Sequence, residues 1–300
     1  MSMKTIRLFI LLFVAAFFQE VHAQEHDLIF TIQNYLQQGE VLKAKQACDS
    51  AVASSSLKNN PRVWYLRGYS YKEYYKKFEA SSRSLPTREE AYKSFTHSIA
   101  IDANNELIAE NQKNLKSLSA LYYNDVKAFL DTLNITAAVK YYGLYKRTAL
   151  AADSTTDFSK RDVDVNLALG YSYLKLAETA DSNQRKVYLE KEREAFSKVL
   201  SIDPNNITAN YNMALLYYNQ AVKIINAMGY DEDIVSLNMI VDNCTGLFKE
   251  SLPFMEKAYH LNPNRRETLI GLSGIYFSLN EEEKRQYIDM LLQDLDRNKK

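Results

Sequence analysis

Residues 91–105 read AYKSFTHSIAIDANN, and the stretch recurs as FSKVLSIDPNN at residues 196–206 and as MEKAYHLNPN at residues 255–264. In each copy a bulky residue is followed three places later by a more compact one, and then by Asp or Asn and an Asn-rich turn. Residues three apart share one face of a helix, where a small side chain lets a neighbouring helix approach. The recurrence therefore predicts several helices that pack alike and end at the same kind of turn.

A second pattern recurs near these stretches and predicts the helices that pair with them. Each instance has a small residue followed three places later by tyrosine, as in Gly68 with Tyr71, Gly170 with Tyr173 and Ala214 with Tyr217. We expect the small residue to admit the partner helix and these tyrosines, with Tyr276, to lie in the core. Pro204 and Pro263 mark two of the turns, because proline cannot continue a helix.

This alternation resembles the tetratricopeptide repeat, in which Trp, Leu-Gly, Tyr, Ala, Phe, Ala and Pro follow in order over about thirty-four residues of two antiparallel helices. The resemblance implies an all-α fold, a right-handed α-solenoid of antiparallel helix pairs with about five repeats and a closing helix. A single solenoid would occupy residues 24–300. The repeats would cover residues 25–60, 61–105, 106–162, 163–206 and 207–264, with closing helices in 265–298.

Two hairpins have longer arms than the family pattern. Nineteen residues separate Tyr71 from Ala91 and eighteen separate Tyr173 from Glu192, where the family has about eight. The excess corresponds to about three helical turns, so the arms lengthen without rotating their faces. Pro86 indicates that the first insertion, residues 74–90, also contains a turn.

Two other segments depart further from the pattern. Residues 106–162 keep the helical period but lose the signature, which indicates a degenerate repeat. The insertion at residues 229–248 either folds over a groove or packs against the next repeat.

Residues 1–23 have the pattern of a secretory signal peptide. Lys4 and Arg7 precede an apolar run from Leu8 to Phe18, and small or tolerable residues lead to Ala23. The run is shorter than the roughly twenty residues that span a bilayer. We therefore expect cleavage after Ala23, no integral membrane segment in the mature chain, and a periplasmic or secreted location in a Gram-negative bacterium.

Composition narrows the function classes. Lys plus Arg equals Asp plus Glu at 37 each, without a long block of one sign, so a nucleic-acid partner is not expected. The only cysteines are Cys48 and Cys244. Because the two would lie far apart in an elongated array, we expect each to be a small buried hydrophobic residue and not part of a disulfide.

No grouping of residues indicates catalysis, a metal site or a cofactor. His22, His26, His97 and His260 lack a metal-binding spacing. The acidic run 231–233 lacks the glycine and the closing glutamate of a calcium loop. We expect a protein that is not an enzyme and that carries no cofactor.

The candidate partner-binding residues lie on the other face of the first helix of each pair. They recur at intervals of four and then three, as Tyr65, Tyr69 and Lys72; Leu167, Tyr171 and Leu174; and Tyr211, Leu215 and Tyr218. In the resembled family this face lines a concave groove in which a peptide docks. Tyrosine buries apolar area at low entropic cost and keeps a polar tip, which suits a binding surface. The alternative is that the longer arms bury this face against each other.

The leading hypothesis is a non-catalytic scaffold of the cell envelope that holds a partner protein or peptide in a tyrosine-rich concave groove. The alternative is an envelope protein that binds a glycan or small molecule, with residues 229–248 as a lid, because aromatic rings also stack on sugars. The sequence leaves the partner and the oligomeric state open.

Overall fold

The computed structural model describes residues 27–229 and 233–297, and within these ranges every regular element is a helix. The predicted all-α fold of paired helices is confirmed. The predicted signal peptide, residues 1–23, lies outside the described residues, as do residues 230–232, which include the first two residues of the acidic run.

Twelve helices fall within the described residues, and most are joined by turns of a few residues. In chain order they are α1 (27–37), α2 (Val41–Ala53), α3 (Pro61–Tyr74), α4 (Leu85–Ile101), α5 (Ile108–Asp131), α6 (Ile135–Ala152), α7 (Ser159–Thr179), α8 (Ser182–Ile202), α9 (Ile207–Asn226), α10 (Ile234–Leu261), α11 (Arg266–Ser278) and α12 (Glu282–Arg297).

The chain divides into two units, with the boundary between Thr156 and Asp157. In the first unit, α2 packs on α3, α3 on α4, α4 on α5 and α5 on α6. In the second unit, α7 packs on α8 and the series continues in the same way to α12. Contacts of α3 with α5, and of α9 with α11, bring the first helices of successive hairpins together within each unit. The subdivision of residues 24–300 into five repeats stays a prediction.

The recurring turns end helices where the sequence indicates. Helices α4, α8 and α10 stop immediately before Asp102, Asp203 and Asn262. The Asp102 carboxylate accepts a hydrogen bond from the backbone N–H of Leu107 at 2.7 Å. Asn206 caps α9 by accepting from the N–H of Ala209 at 3.0 Å. These side chains satisfy backbone donors that a helix terminus leaves unpaired.

The two signature glycines sit where a partner ring crosses the helix. A Cβ on Gly68 would lie 2.6 Å from Cδ1 of Phe95, and one on Gly170 would lie 2.5 Å from Cζ of Phe196. Both phenylalanines are fully buried. The predicted close approach of the paired helices is confirmed at both positions.

The longer arms have the form expected from their length. Helix α3 continues as a π-helical segment, Tyr75–Glu79, and Pro86 lies in the first turn of α4. Arg88 of α4 is fully buried and its Nη1 lies 2.6 Å from Asp125 Oδ2. This ion pair joins the lengthened arm to α5.

The segment 234–248 forms the first half of α10 and extends that helix along α9. Cys244 and Phe248 pack against Ala221 in a buried cluster. The extension therefore lengthens its hairpin in the same way as the other two insertions. Cys48 and Cys244 are both free and buried, as predicted.

Candidate binding site

The nine predicted partner-binding residues lie on α3, α7 and α9, and the structure gives them unequal surroundings. Three belong to the first unit and six to the second. Their assignment to a partner stays a prediction, and the contacts below describe what each side chain touches within its own unit.

In the first unit α5 packs against the predicted face at Lys72. Lys72 is only 6% exposed, and its Nζ donates to Oδ1 of Asn114 at 2.6 Å. The ammonium also lies 3.3 Å from Oε1 of Glu73 and 4.9 Å from the ring centroid of Tyr69. Burial lowers the pKa of Lys72 despite that carboxylate. The side chain of Lys72 is thus committed to the packing of α3 on α5.

Tyr65 belongs to the same packed region. Its ring centroid lies 6.4 Å from those of both Tyr69 and Phe95. Burial raises the pKa of the Tyr65 phenol. The Tyr65 ring therefore packs against its own helix and against α4.

In the second unit one predicted tyrosine remains open to solvent. Tyr171 is 42% exposed, and its ring meets Phe196 edge-on at 6.0 Å. The side-chain amide of Asn212 donates to the Tyr171 hydroxyl at 3.1 Å and to the carbonyl of Thr208 at 2.8 Å. Tyr171 is therefore held in one orientation while much of its surface stays accessible.

Tyr211 and Tyr218 contact residues of α10, of α11 and of the turn between them. The guanidinium carbon of Arg265 lies 3.9 Å from the centroid of the Tyr211 ring. The Tyr218 ring lies 5.5 Å from Phe248, and a Cβ on Gly274 would come within 2.7 Å of the Tyr218 hydroxyl. Leu167 packs in the cluster around Phe196.

A pocket of about 320 Å³ opens between α7, α8 and α9. Two of the predicted residues, Leu174 and Leu215, form part of its apolar lining. The remaining lining residues, which sequence reasoning did not select, are Ala177, Glu178, Arg185, Leu189, Glu192, Asn212, Asn219, Gln220, Leu216 and Lys223. Asn212, which lines the pocket, also donates to the Tyr171 hydroxyl, so this hydrogen bond connects the pocket to the open tyrosine.

Glu192 is the least expected member of this lining. It is 2% exposed, and its Oε2 is buried without a hydrogen-bond partner among the described residues. Burial raises the pKa of Glu192 from 4.5 to about 8, and the nearby Glu178 carboxylate adds to the shift. A buried carboxylate without a partner is costly, so the group takes up a proton near neutral pH.

The other charged groups of the pocket leave Glu192 uncompensated. Arg185 donates from Nε to the carbonyl of Ala177 at 2.8 Å and from Nη2 to that of Glu178 at 3.3 Å. Its guanidinium therefore caps the last turn of α7. Lys223 is exposed on α9.

The unusual position of Glu192 can be recognised in the sequence when the repeats are aligned. Glu192 lies four places before Phe196, as Ala91 lies before Phe95 and Ser251 before Met255 in two other hairpins. Ala91 and Ser251 are both fully buried. A glutamate at a position that otherwise holds a small buried residue indicates a carboxyl forced into the interior.

Within the described residues no group of three or more His, Cys, Asp and Glu side chains is arranged to hold a metal ion. His97 packs edge-on against Trp64, with ring centroids 4.4 Å apart. Over the same ranges no helix has the length and apolar character needed to cross a bilayer.

No model of a known protein family matches the sequence, and no curated protein is detectably related to it. Solved structures show a distant likeness. The human IFIT1 dimer with m7Gppp-AAAA is 14% identical with a TM-score of 0.32, over 88% of this chain and 58% of that one. This chain thus spans little more than half of IFIT1.

For two other solved structures, the alignment with this chain covers nearly their whole length. The nuclear import adaptor Nro1 of S. pombe is 13% identical with a TM-score of 0.32, over 91% of each chain. A tetratricopeptide repeat protein from Parabacteroides merdae is 14% identical with a TM-score of 0.25, over 90% of this chain and 98% of that one. The fold assignment rests on the helix pairs of the chain itself.

Proposed function

We propose that this chain is a non-catalytic scaffold that holds a segment of a partner polypeptide. The observation that carries the proposal is the surface of the second unit, where the exposed ring of Tyr171 adjoins an apolar pocket through Asn212. Stacked helix hairpins suit such a role because each added hairpin extends one continuous surface.

The groups around the pocket match the chemistry of a polypeptide. Leu174, Leu215 and Leu216 offer apolar surface to a side chain. Asn219 and Gln220 carry amides that both donate and accept hydrogen bonds, as the backbone of an extended segment requires. Tyr171 supplies an aromatic surface of the kind that anchors protein interfaces.

A double variant tests the scaffold role. The unaltered chain serves as bait to capture its partner from the native envelope. Tyr171→Ala/Leu174→Ala should abolish this capture, while the melting temperature of the protein changes little. The matched control is Val187→Ala, which truncates an exposed side chain of α8 that is not part of the pocket lining. Unchanged capture by the double variant contradicts the proposal.

The first unit provides a comparison for the same experiment. Tyr65→Ala/Tyr69→Ala alters side chains that pack beside Phe95 and under Lys72. We expect this variant to lower stability more than it lowers capture. Loss of capture from this variant alone would move the interface to the first unit.

A glycan is the competing occupant of the surface. In the sequence-based alternative, residues 229–248 act as a lid, but residues 234–248 belong to α10 and pack along α9. A saccharide that raises the melting temperature through Tyr171 would favour this alternative, because a ligand stabilises the state that it binds.

Because residues 1–23 have the pattern of a secretory signal peptide, we further propose that the scaffold lies in the cell envelope. The test is the amino terminus of the protein isolated from its own cells. A terminus at Gln24 in the periplasmic or secreted fraction supports export, and an intact Met1 in the cytoplasmic fraction contradicts it.

A further inference from the structure

The Glu192 carboxyl is a buried polar group that the fold does not use. The corresponding Ala91 and Ser251 fill their places without an ionisable group, and the Ser251 hydroxyl donates to the carbonyl of Ala214 at 2.8 Å. Glu192 has a carboxylate oxygen with no such partner, and it lies in the lining of an open pocket. Buried unpaired polar atoms are rare in folded proteins and are costly when they occur. A ligand that supplies the missing hydrogen bond would recover that free energy.

The rest of the lining restricts the kind of ligand. Leu174, Leu189 and Leu215 form apolar walls that suit an aliphatic chain. The Glu178 carboxylate, which also lines the pocket, adds to the negative potential at Glu192 and raises the pKa of that carboxyl further. A group that enters along the leucines and reaches Glu192 gains most if its end carries positive charge and N–H donors.

The positive side chains of the pocket do not fill this role. Arg185 is turned to the end of α7, where it donates to two backbone carbonyls. Among the described residues, Oε2 of Glu192 accepts no hydrogen bond from Lys223 or from any other group. Within the described residues no cation pairs with Glu192, so a cation bound at this carboxyl would come from outside that part of the chain.

We propose that the pocket binds an alkylammonium group, with the nitrogen at the Glu192 carboxylate and the aliphatic stem along Leu174, Leu189 and Leu215. A lysine side chain has this chemistry, and so does a free aliphatic amine. Binding of a lysine side chain of a partner polypeptide rests on the proposed scaffold function, whereas binding of a free amine does not.

This binding depends on pH in a defined direction. The empty pocket holds Glu192 protonated below its pKa of about 8, so a proton competes with the ammonium for the carboxyl. Affinity should rise roughly tenfold or more between about pH 6.5 and pH 8.5 and then level off. The other charged side chains that line the pocket are Glu178, Arg185 and Lys223.

The first experiment titrates the mature full-length chain with n-pentylammonium or with 1-pentanol, its neutral counterpart, and follows backbone amide resonances by NMR. At about pH 8.5 we expect pentylammonium to shift resonances of α7, α8 and α9 with a millimolar Kd, a magnitude typical of six non-hydrogen atoms. Its affinity should exceed that of 1-pentanol by at least about tenfold. Equal affinities, or no binding of pentylammonium, would overturn the proposal.

Substitutions assign the effect to Glu192. Glu192→Gln keeps the size of the side chain and should weaken pentylammonium binding at least about tenfold. Glu192→Ala restores the small residue of the other hairpins and provides a second variant with the same expected loss. The matched control, Glu194→Gln, alters a glutamate of the same helix that pairs with Lys191 and is not part of the pocket lining. Binding that survives both Glu192 variants contradicts the assignment.

A second titration separates the two sources of the ammonium. The probes are acetyl-Ala-Lys-Ala-amide and the same tripeptide with norleucine in place of lysine. Tighter binding of the lysine peptide than of pentylammonium supports a polypeptide source. Binding of pentylammonium alone supports a free amine, and the pocket assignment then stands even if the scaffold function fails.

Discussion

At the scale of single residues, two buried charged groups in the chain have opposite environments. Arg88 is fully buried and fully engaged, with Asp125 at 2.6 Å and three tyrosine rings, those of Tyr75, Tyr122 and Tyr141, within 5.2 Å of the guanidinium carbon. Glu192 is equally buried but lacks a partner at Oε2. The first group stabilises the fold, and the second destabilises it at high pH.

The pKa of Glu192 gives a signed prediction for stability. The folded-state pKa of about 8 exceeds the ordinary value of 4.5. The folded state therefore holds its proton more tightly, and stability is lost as pH rises toward 8. Glu192→Gln should increase the free energy of unfolding by roughly 2–4 kcal/mol at about pH 8.5 and by much less near pH 5. Urea unfolding at both pH values measures this, and an equal change at both pH values, or the same change in Glu194→Gln, would contradict it.

Arg88 provides the opposite prediction. Arg88→Met should lower the free energy of unfolding by about 3 kcal/mol, because Asp125 loses its buried partner and keeps only the partly exposed Arg83. The matched control is Arg147→Met, since Arg147 forms an exposed pair with Glu89 at 2.6 Å and stacks on Tyr92. An exposed pair contributes about 1 kcal/mol or less. Similar losses in the two variants, compared by urea unfolding, would show that the Arg88 cluster has no special role.

At the scale of helices, the hairpins depend on glycines where paired helices cross. A Cβ at Gly68 would meet the ring of Phe95, whereas one at Gly143 of α6 would meet nothing within 4 Å. The same chemical change thus falls on a crossing in one helix and on open surface in another.

Alanine at these two glycines should act in opposite directions. Gly68→Ala should destabilise the protein by about 1–3 kcal/mol, because Phe95 must move to admit the methyl group. Gly143→Ala should stabilise it by about 0.5–1 kcal/mol, since alanine restricts the unfolded chain and favours the helix. Thermal and urea unfolding test the pair, and two changes of the same sign would be incompatible with the packing described.

The helices also show why the sequence predicted the fold better than the site. Turns after Ile101, Ile202 and Leu261 depend on local signals, proline and Asp or Asn, that can be read within one segment. Exposure of Tyr171 and burial of Lys72 depend on which neighbouring helix lies over each position. The pocket depends further on Glu192, whose significance appears only when its register is compared with that of Ala91 and Ser251.

At the scale of the whole molecule, the two units divide the predicted face between packing and access. In the first unit, Lys72 is buried and donates a hydrogen bond to Asn114 of α5. In the second unit, Tyr171 stays exposed to solvent near an apolar pocket. The equal spacing of the nine candidate residues gave no sign of this difference. Under the proposed function, the partner would bind at the second unit, with the amide side chains of α9 around the point of contact.

Site-specific photo-crosslinking tests this central claim most directly. A benzoylphenylalanine at position 171 is compared with one at position 187, where Val187 is 56% exposed on α8 and is not part of the pocket lining. Irradiation in the native cells should yield a discrete polypeptide adduct from position 171 and none from position 187. Absence of an adduct at 171, or the same adducts at both positions, would contradict a partner-binding surface in the second unit.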